Sequence, residues 1–199
     1  MKRIHWILTT LILTGCSEQP APMDTRVAKA PALESETARS APKSPAEKSA
    51  LRDTTVGGFE FKVPGDWEEK PPKSEFLLGE FTVPGEAGPA RLTLSSARGG
   101  IEANLDRWRG QIQTGPKDPP ASQSDVEFDG RTATLIELTG TYSDMFGGGA
   151  PNKNSKLLGV AAALGEADFF VKMTGPAETV TARRDEFLKF VASARREKK

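Results

Sequence analysis

The chain changes character abruptly near Thr54, and that break most limits what it can fold into. Between Ser17 and Asp53 there is no glycine and no aromatic residue. Pro20, Pro22, Pro31, Pro42 and Pro45 interrupt a run of Ala, Ser, Glu, Lys and Thr that carries charges of both signs. So little apolar surface cannot offset the entropy of ordering a backbone, and 16–53 is expected to be a disordered tether. As a flexible coil it would span roughly 30 Å, and more where the prolines stiffen it. Past Thr54, aromatics, glycines and apolar alternation set in together. The remaining stretch, 54–199, has a length typical of one domain with one core.

Upstream of the tether, Lys2 and Arg3 precede an apolar run from Ile4 to Leu13, broken only by His5, Thr9 and Thr10. The run is far shorter than the ~20 residues a helix needs to cross a bilayer. A basic start, a short apolar core and small residues before a cysteine make 1–15 a signal peptide. The segment Leu13-Thr14-Gly15-Cys16 resembles the lipobox of bacterial lipoproteins. That resemblance implies cleavage before Cys16, a diacylglycerol thioether on its sulfur and an amide-linked acyl chain, palmitate or similar. One chain binds a membrane only marginally, at about 0.8 kcal/mol per buried methylene, whereas two or three hold firmly. Ser17 stands where enterobacterial sorting reads Asp as retention in the inner membrane, so the resemblance favours the outer membrane. The domain would then lie on the periplasmic or extracellular side of a bacterial cell envelope.

Cys16 is the only cysteine and His5 the only histidine. A mature chain starting at Cys16 would carry no imidazole and no free thiol. Ser-His-Asp and Cys-His catalysis are excluded on that basis, as are zinc and copper sites built on Cys and His. No metal, no cofactor and no catalytic residue is therefore expected. With 27 basic and 27 acidic residues, no positive surplus supports nucleic-acid binding.

Two features remain as candidate sites. Glu137, within Leu135-Ile136-Glu137-Leu138, is an acid among apolar neighbours. Burial would raise its pKa, and a raised acid suits glycoside cleavage if a second carboxylate faces it; otherwise it faces water or pairs with a lysine. Tyr142, Met145 and Phe146 adjoin Gly147, Gly148 and Gly149, a run that lacks the lysine of a phosphate-binding loop. They form either an apolar tip on a mobile hairpin, suited to a partner, or a tuck into the core.

Alternation of Phe59, Phe61 and Val63 with Glu60 and Lys62 predicts a strand ended by Pro64-Gly65. Further strands are expected over Phe76 to Val83, around Leu92 and Leu94, on both sides of Asp129-Gly130, over Leu158 to Leu164, and over Phe169 to Met173. Ile101, Leu105, Trp108 and Ile112 share one helical face. Pro176 is expected at the first position of a final helix, with Val180, Phe187, Val191 and Ala194 inward and Arg195-Arg196 at its negative pole. Short connections imply antiparallel pairing. The predicted class is α+β, an antiparallel sheet of about six to seven strands sandwiched by two helices.

The run Phe61-Lys62-Val63-Pro64-Gly65-Asp66-Trp67 resembles the opening strand and Pro-x-x-Trp turn of the PsbP-like superfamily. The run from Phe169 to Pro176, leading into the last helix, resembles its closing strand and helix. The resemblance covers about Thr55 to Ala194. It implies an antiparallel sheet between helices used mostly for binding, and it carries over no catalytic residue. The expected function is a lipid-anchored, non-enzymatic binding or assembly module of the envelope, with a protein or a small ligand as its partner. The competing expectation is a carboxylate-based enzyme acting on envelope glycans.

Overall fold

The computed structural model describes residues 50–143 and 150–197. Residues 1–49, including Cys16, and the loop residues Met145, Phe146, Gly147, Gly148 and Gly149 lie outside the described residues.

Turn chemistry sets the strand pairing. Asp129 and Gly130, at φ 50° and 70°, join β7 (Ser122–Phe128) to β8 (Arg131–Tyr142), with Phe128 opposite Arg131. Positive φ at both central residues is the type I′ geometry whose twist matches the flanking strands. The same device recurs at Gly57-Gly58, φ 62° and 82°, between β1 (Leu51–Val56) and β2 (Phe59–Pro64). Leu51, Arg52 and Asp53, which composition assigns to the tether, therefore sit in a strand opposite Pro64, Val63 and Lys62. Only Val56 of β1 is buried, so the strand carries almost no apolar signal.

The chain continues through β3 (Glu68–Lys70), β4 (Leu77–Val83), β5 (Ala90–Ala97), α1 (Ile101–Gln111) and β6 (Ile112–Gln113). Beyond β7 and β8 come β9 (Asn152–Ala162), β10 (Asp168–Pro176), α2 (Ala177–Ala182), α3 (Arg184–Ala192) and β11 (Arg195–Arg196). Among the described residues, eight strands form one sheet in the order β3-β4-β5-β10-β9-β8-β6, with β7 also paired to β8. Every pair described is antiparallel. A second sheet, β1-β2-β11, has three strands. The class is α+β, as the sequence predicts, but the second sheet replaces part of the expected helical cover.

Each face of the large sheet carries its own core. Alternation along β8 and β9 sends Ala133, Leu135, Leu158 and Val160 to one side, and Ile136, Leu138, Leu157 and Ala161 to the other. On the first side lie the small sheet, α2 and α3. There Phe61 stacks on Phe190 at 4.7 Å between ring centroids, and Phe59 meets Phe128 and Phe169 at 5.1 Å each. Trp67 joins them, held by the turn in which its N–H donates to the Pro64 carbonyl at 3.1 Å. On the second side α1 sets Leu105 and Trp108 against Phe170. Gly159 lets α1 approach: a Cβ there would land on the Trp108 ring.

The chain end differs from expectation. Pro176 closes β10 and caps α2 from outside, at φ −52° and ψ 133°, rather than entering the helix. The final helix is broken at Arg183 into α2 and α3. Arg195 and Arg196 pair with Glu60 and Phe59 as β11, so they complete a sheet instead of facing a helix pole. Helix α1 stops at Gln111, with Ile112 already extended.

Candidate functional site

Glu137 lies on β8 on the same sheet face as Leu135, under α3. Its side chain is 17% exposed. Arg184, at the start of α3, donates through Nη2 at 2.7 Å and Nε at 2.9 Å to Oε1. Lys156 on β9 reaches Oε2 at 2.9 Å. Burial pushes the carboxyl up, but hydrogen bonds from Arg184 and Lys156, with their charges, outweigh it and hold the pKa below the ordinary glutamate value. Of the two alternatives that the sequence leaves open, the structure shows the pairing with a lysine, joined by Arg184, and not the raised pKa; a carboxyl held low in this way is a poor proton donor near neutrality.

The lowered value has a signed consequence for stability. A carboxyl whose pKa is depressed on folding stabilises the native state above its unfolded pKa, and this contribution fades as pH falls through the folded value. Glu137→Gln should cost about 1–2 kcal/mol near neutral pH. The gap between the variant and the parent should narrow as pH drops below the ordinary glutamate range. Urea melts at pH 7, 5 and 3.5 would show this, and a gap constant across the series would contradict it.

The buried acids among the described residues, Glu80 and Asp66, are each paired with an arginine. Glu80 on β4 receives two hydrogen bonds from Arg91, both 2.8 Å, which lead its pKa downward against desolvation. It lies on the opposite sheet face from Phe81, hence from Glu137, and three strands intervene. Four strand spacings are about 19 Å, far beyond the ~5–9.5 Å between glycosidase carboxylates. Asp66 pairs with Arg183 at 2.9 Å, and Arg183 also binds Glu186 and the Pro84 carbonyl. That arginine ties the turn after β2 and the loop after β4 to the break between α2 and α3, a structural clasp.

Of the expected apolar tip, only Tyr142 lies among the described residues. It is half-buried against the α1-side core, with Lys172 Nζ 6.0 Å from its ring centre. Tyr142 thus belongs to packing rather than to a projecting tip.

Sequence reasoning missed a cleft at the opposite end. Its volume is about 320 Å³, at the lower end of ligand-site sizes, and it opens between the Gly57-Gly58 turn and the β9–β10 connection. Phe59, Phe169 and Leu164 lie among its lining residues together with Ser96, Glu166 and Arg196, and its accessible surface is more polar than apolar. Arg196 lies over the Phe59 ring at 5.0 Å. Leu78 Cδ1 occupies the space into which a side chain at Gly57 would project. Leu78 is 42% exposed, and Phe76, two residues earlier in the chain, is 77% exposed. Leu77, between them, is paired with Ser95, the neighbour of the cleft residue Ser96. The Gly-Gly turn was the available signal, had its hairpin been recognised.

No known family profile and no curated protein matches the sequence. Among solved structures, the chain is similar to cyanobacterial PsbP (CyanoP) from Synechocystis. The identity is 13%, with TM-score 0.48, over 78% of this chain and 97% of that one. It is also similar to LpqN of Mycobacterium tuberculosis, which is involved in cell envelope biogenesis. There the identity is 17%, with TM-score 0.43, over 75% of this chain and 93% of that one. A Pseudomonas aeruginosa protein of unknown function matches at 13% identity and TM-score 0.41, over 73% of this chain and 96% of that one.

Proposed function

We propose that the chain is a lipid-anchored, non-enzymatic module of the bacterial cell envelope. It binds a protein partner that covers the exposed Leu78 and the cleft beside it. The observation that carries this is the exposure of Leu78, whose Cδ1 lies against the cleft residue Gly57, with the exposed Phe76 two residues before it in the chain. Large apolar side chains clustered at a concavity favour a macromolecular contact. The Leu13-to-Cys16 motif supports the anchor and the envelope location, with Ser17 favouring the outer membrane. The pairing of Glu137 with Lys156 and Arg184 supports the non-enzymatic reading over the glycan-enzyme one.

A photo-crosslinking residue placed at Phe76 in intact envelopes tests the binding. One specific protein adduct is expected, weakened about fivefold or more by Leu78→Glu, as for a hot-spot residue. An anchored protein that gives no adduct, or an adduct indifferent to Leu78→Glu, overturns the cleft as the binding site.

A further inference from the structure

Strand β1 is held to the fold by little apolar contact. Leu51, Asp53 and Thr55 are exposed, Arg52 and Thr54 are partly buried, and only Val56 is buried. Among the described residues β1 pairs with β2 alone, from Leu51 opposite Pro64 to Val56 opposite Phe59. Side chains latch it at two points. At the outer end Arg52 Nη1 donates to the Pro64 carbonyl at 3.2 Å and to the Trp67 carbonyl at 2.9 Å. At the inner end Val56 fills the space that a Cβ on Gly79 would take. The ion pair of Asp53 with Lys62 is exposed on both sides and contributes little. Strand β2 is anchored differently: Phe59, Phe61 and Val63 are buried in the core, and β11 pairs with its other edge. An element with few buried apolar contacts opens at a lower free energy than the core does, and as a unit.

The inner end of β1 runs into the wall of the cleft. Gly57 follows Val56 directly and lines the cleft with Phe59 and Phe169. Leu78 Cδ1 and the Phe169 ring both stand where a Cβ on Gly57 would project, so side chains close in on the backbone there. Leu78 is the extra residue of a bulge, since Leu77 lies opposite Ser95 and Gly79 opposite Leu94. A bulge re-aims a side chain, and this one turns Leu78 onto Gly57. Beyond the turn the chain is fixed, because the Glu197 N–H donates to the Gly58 carbonyl at 3.0 Å. A β1 that leaves β2 therefore draws Gly57 away from Leu78 and Phe169 while Gly58 and Phe59 stay in place.

We propose that β1 is a strap that opens on its own, hinged at Gly57-Gly58, and that the cleft alternates between the closed form described above and an open form without its Gly57 wall. A partner that covers Leu78 and the cleft binds the closed form and holds the strap shut. A pull along the upstream chain enters the fold at Leu51, the end of the hairpin farthest from its turn, and favours the open form. The strap goes beyond the binding reading and is tested with no partner present, so it stands or falls whatever the Phe76 crosslink gives.

Hydrogen exchange of the full chain in non-ionic detergent, followed by NMR in water and at low urea, reads the opening. The β1 amides bonded to β2 should exchange at least about tenfold faster than those of Val160 and Val171, and with little dependence on urea, because local opening exposes little surface. Thr55 and Glu60 lie opposite each other and are both exposed. An oxidised disulfide between Thr55→Cys and Glu60→Cys should slow β1 exchange to the rate of Val160 and Val171, and reduction should restore it. A buried thiol at Val56→Cys should react with maleimide at a rate that is likewise insensitive to low urea. If the β1 amides match Val160 and Val171 in rate and urea dependence, or ignore the disulfide, the strap is overturned. If Val56→Cys reacts only along the urea-dependent route of whole-domain unfolding, opening stops short of Gly57 and the control of the cleft is overturned.

Discussion

Phe190→Ala should lower the stability of the folded region by about 3–5 kcal/mol, the usual cost of emptying a buried phenylalanine site. The ring is buried where several elements meet. It stacks on Phe61 of β2 at 4.7 Å and 18°, and it lies 5.4 Å from Trp67 and 6.2 Å from Phe81 of β4. These neighbours belong to the small sheet, the Pro64–Trp67 turn and the large sheet, so none can collapse into the space without pulling on the others. Packed interiors relax only partly around a void, and the cavity term adds to the lost transfer energy. At about 2–4 °C per kcal/mol for a domain of this size, the melting temperature should fall by roughly 6–20 °C. Phe190→Leu, which keeps most of the volume, should lose far less. Urea melts with an unchanged slope would confirm a native-state effect. A loss below about 1 kcal/mol would mean that the three layers are not joined through this ring.

The same cluster shows why part of the fold is legible in sequence and part is not. Phe59, Phe61 and Val63 alternate with charged residues, so their shared burial follows from the period of a strand. Asp129-Gly130 announces its hairpin because few dipeptides accept two consecutive positive φ values cheaply. Ile101, Leu105, Trp108 and Ile112 mark the inner face of α1 for the same kind of local reason. Strand β1 carries no such mark. Five of its six residues remain at least partly exposed, and its stability comes from pairing with β2. Strand β7 begins Ser-Gln-Ser-Asp, all exposed, and is likewise held by its neighbour β8. The two residues of β11 read as a basic helix end until β2 is in place to pair with them.

Sites were less legible than elements, because their partners are remote in sequence. Glu137 looks unusual in its own strand, but its protonation is decided by Arg184, 47 residues away, and by Lys156 on the adjoining strand. A local reading sees only the desolvation, which is the larger single influence and has the opposite sign. The Phe59–Phe169 cleft combines the β1–β2 turn, the β9–β10 connection and β11, three segments with no common motif.

Cys16→Ala should abolish fatty-acid labelling and move the protein from the membrane to the soluble fraction. The expectation follows from the arithmetic of acyl chains. A single chain gives a membrane association constant on the order of 10⁴ M⁻¹. A second chain multiplies this by a comparable factor, so losing all chains changes partitioning by many orders of magnitude. Among the described residues, no helix is long and apolar enough to cross a membrane. The described fold begins with β1 at Leu51, well downstream of position 16, so the released variant should keep the melting temperature and circular dichroism of a detergent-extracted parent. This separates loss of the tether from loss of the fold. The Phe76 crosslink then becomes informative in the same strain. An adduct that disappears on release places the partner at the membrane surface, where the tether delivers the cleft. An adduct that survives places the partner free in the same compartment. If the alanine variant stays with the membrane and is still labelled, the anchor lies elsewhere in the chain, and the proposed delivery of the cleft to the envelope fails with it.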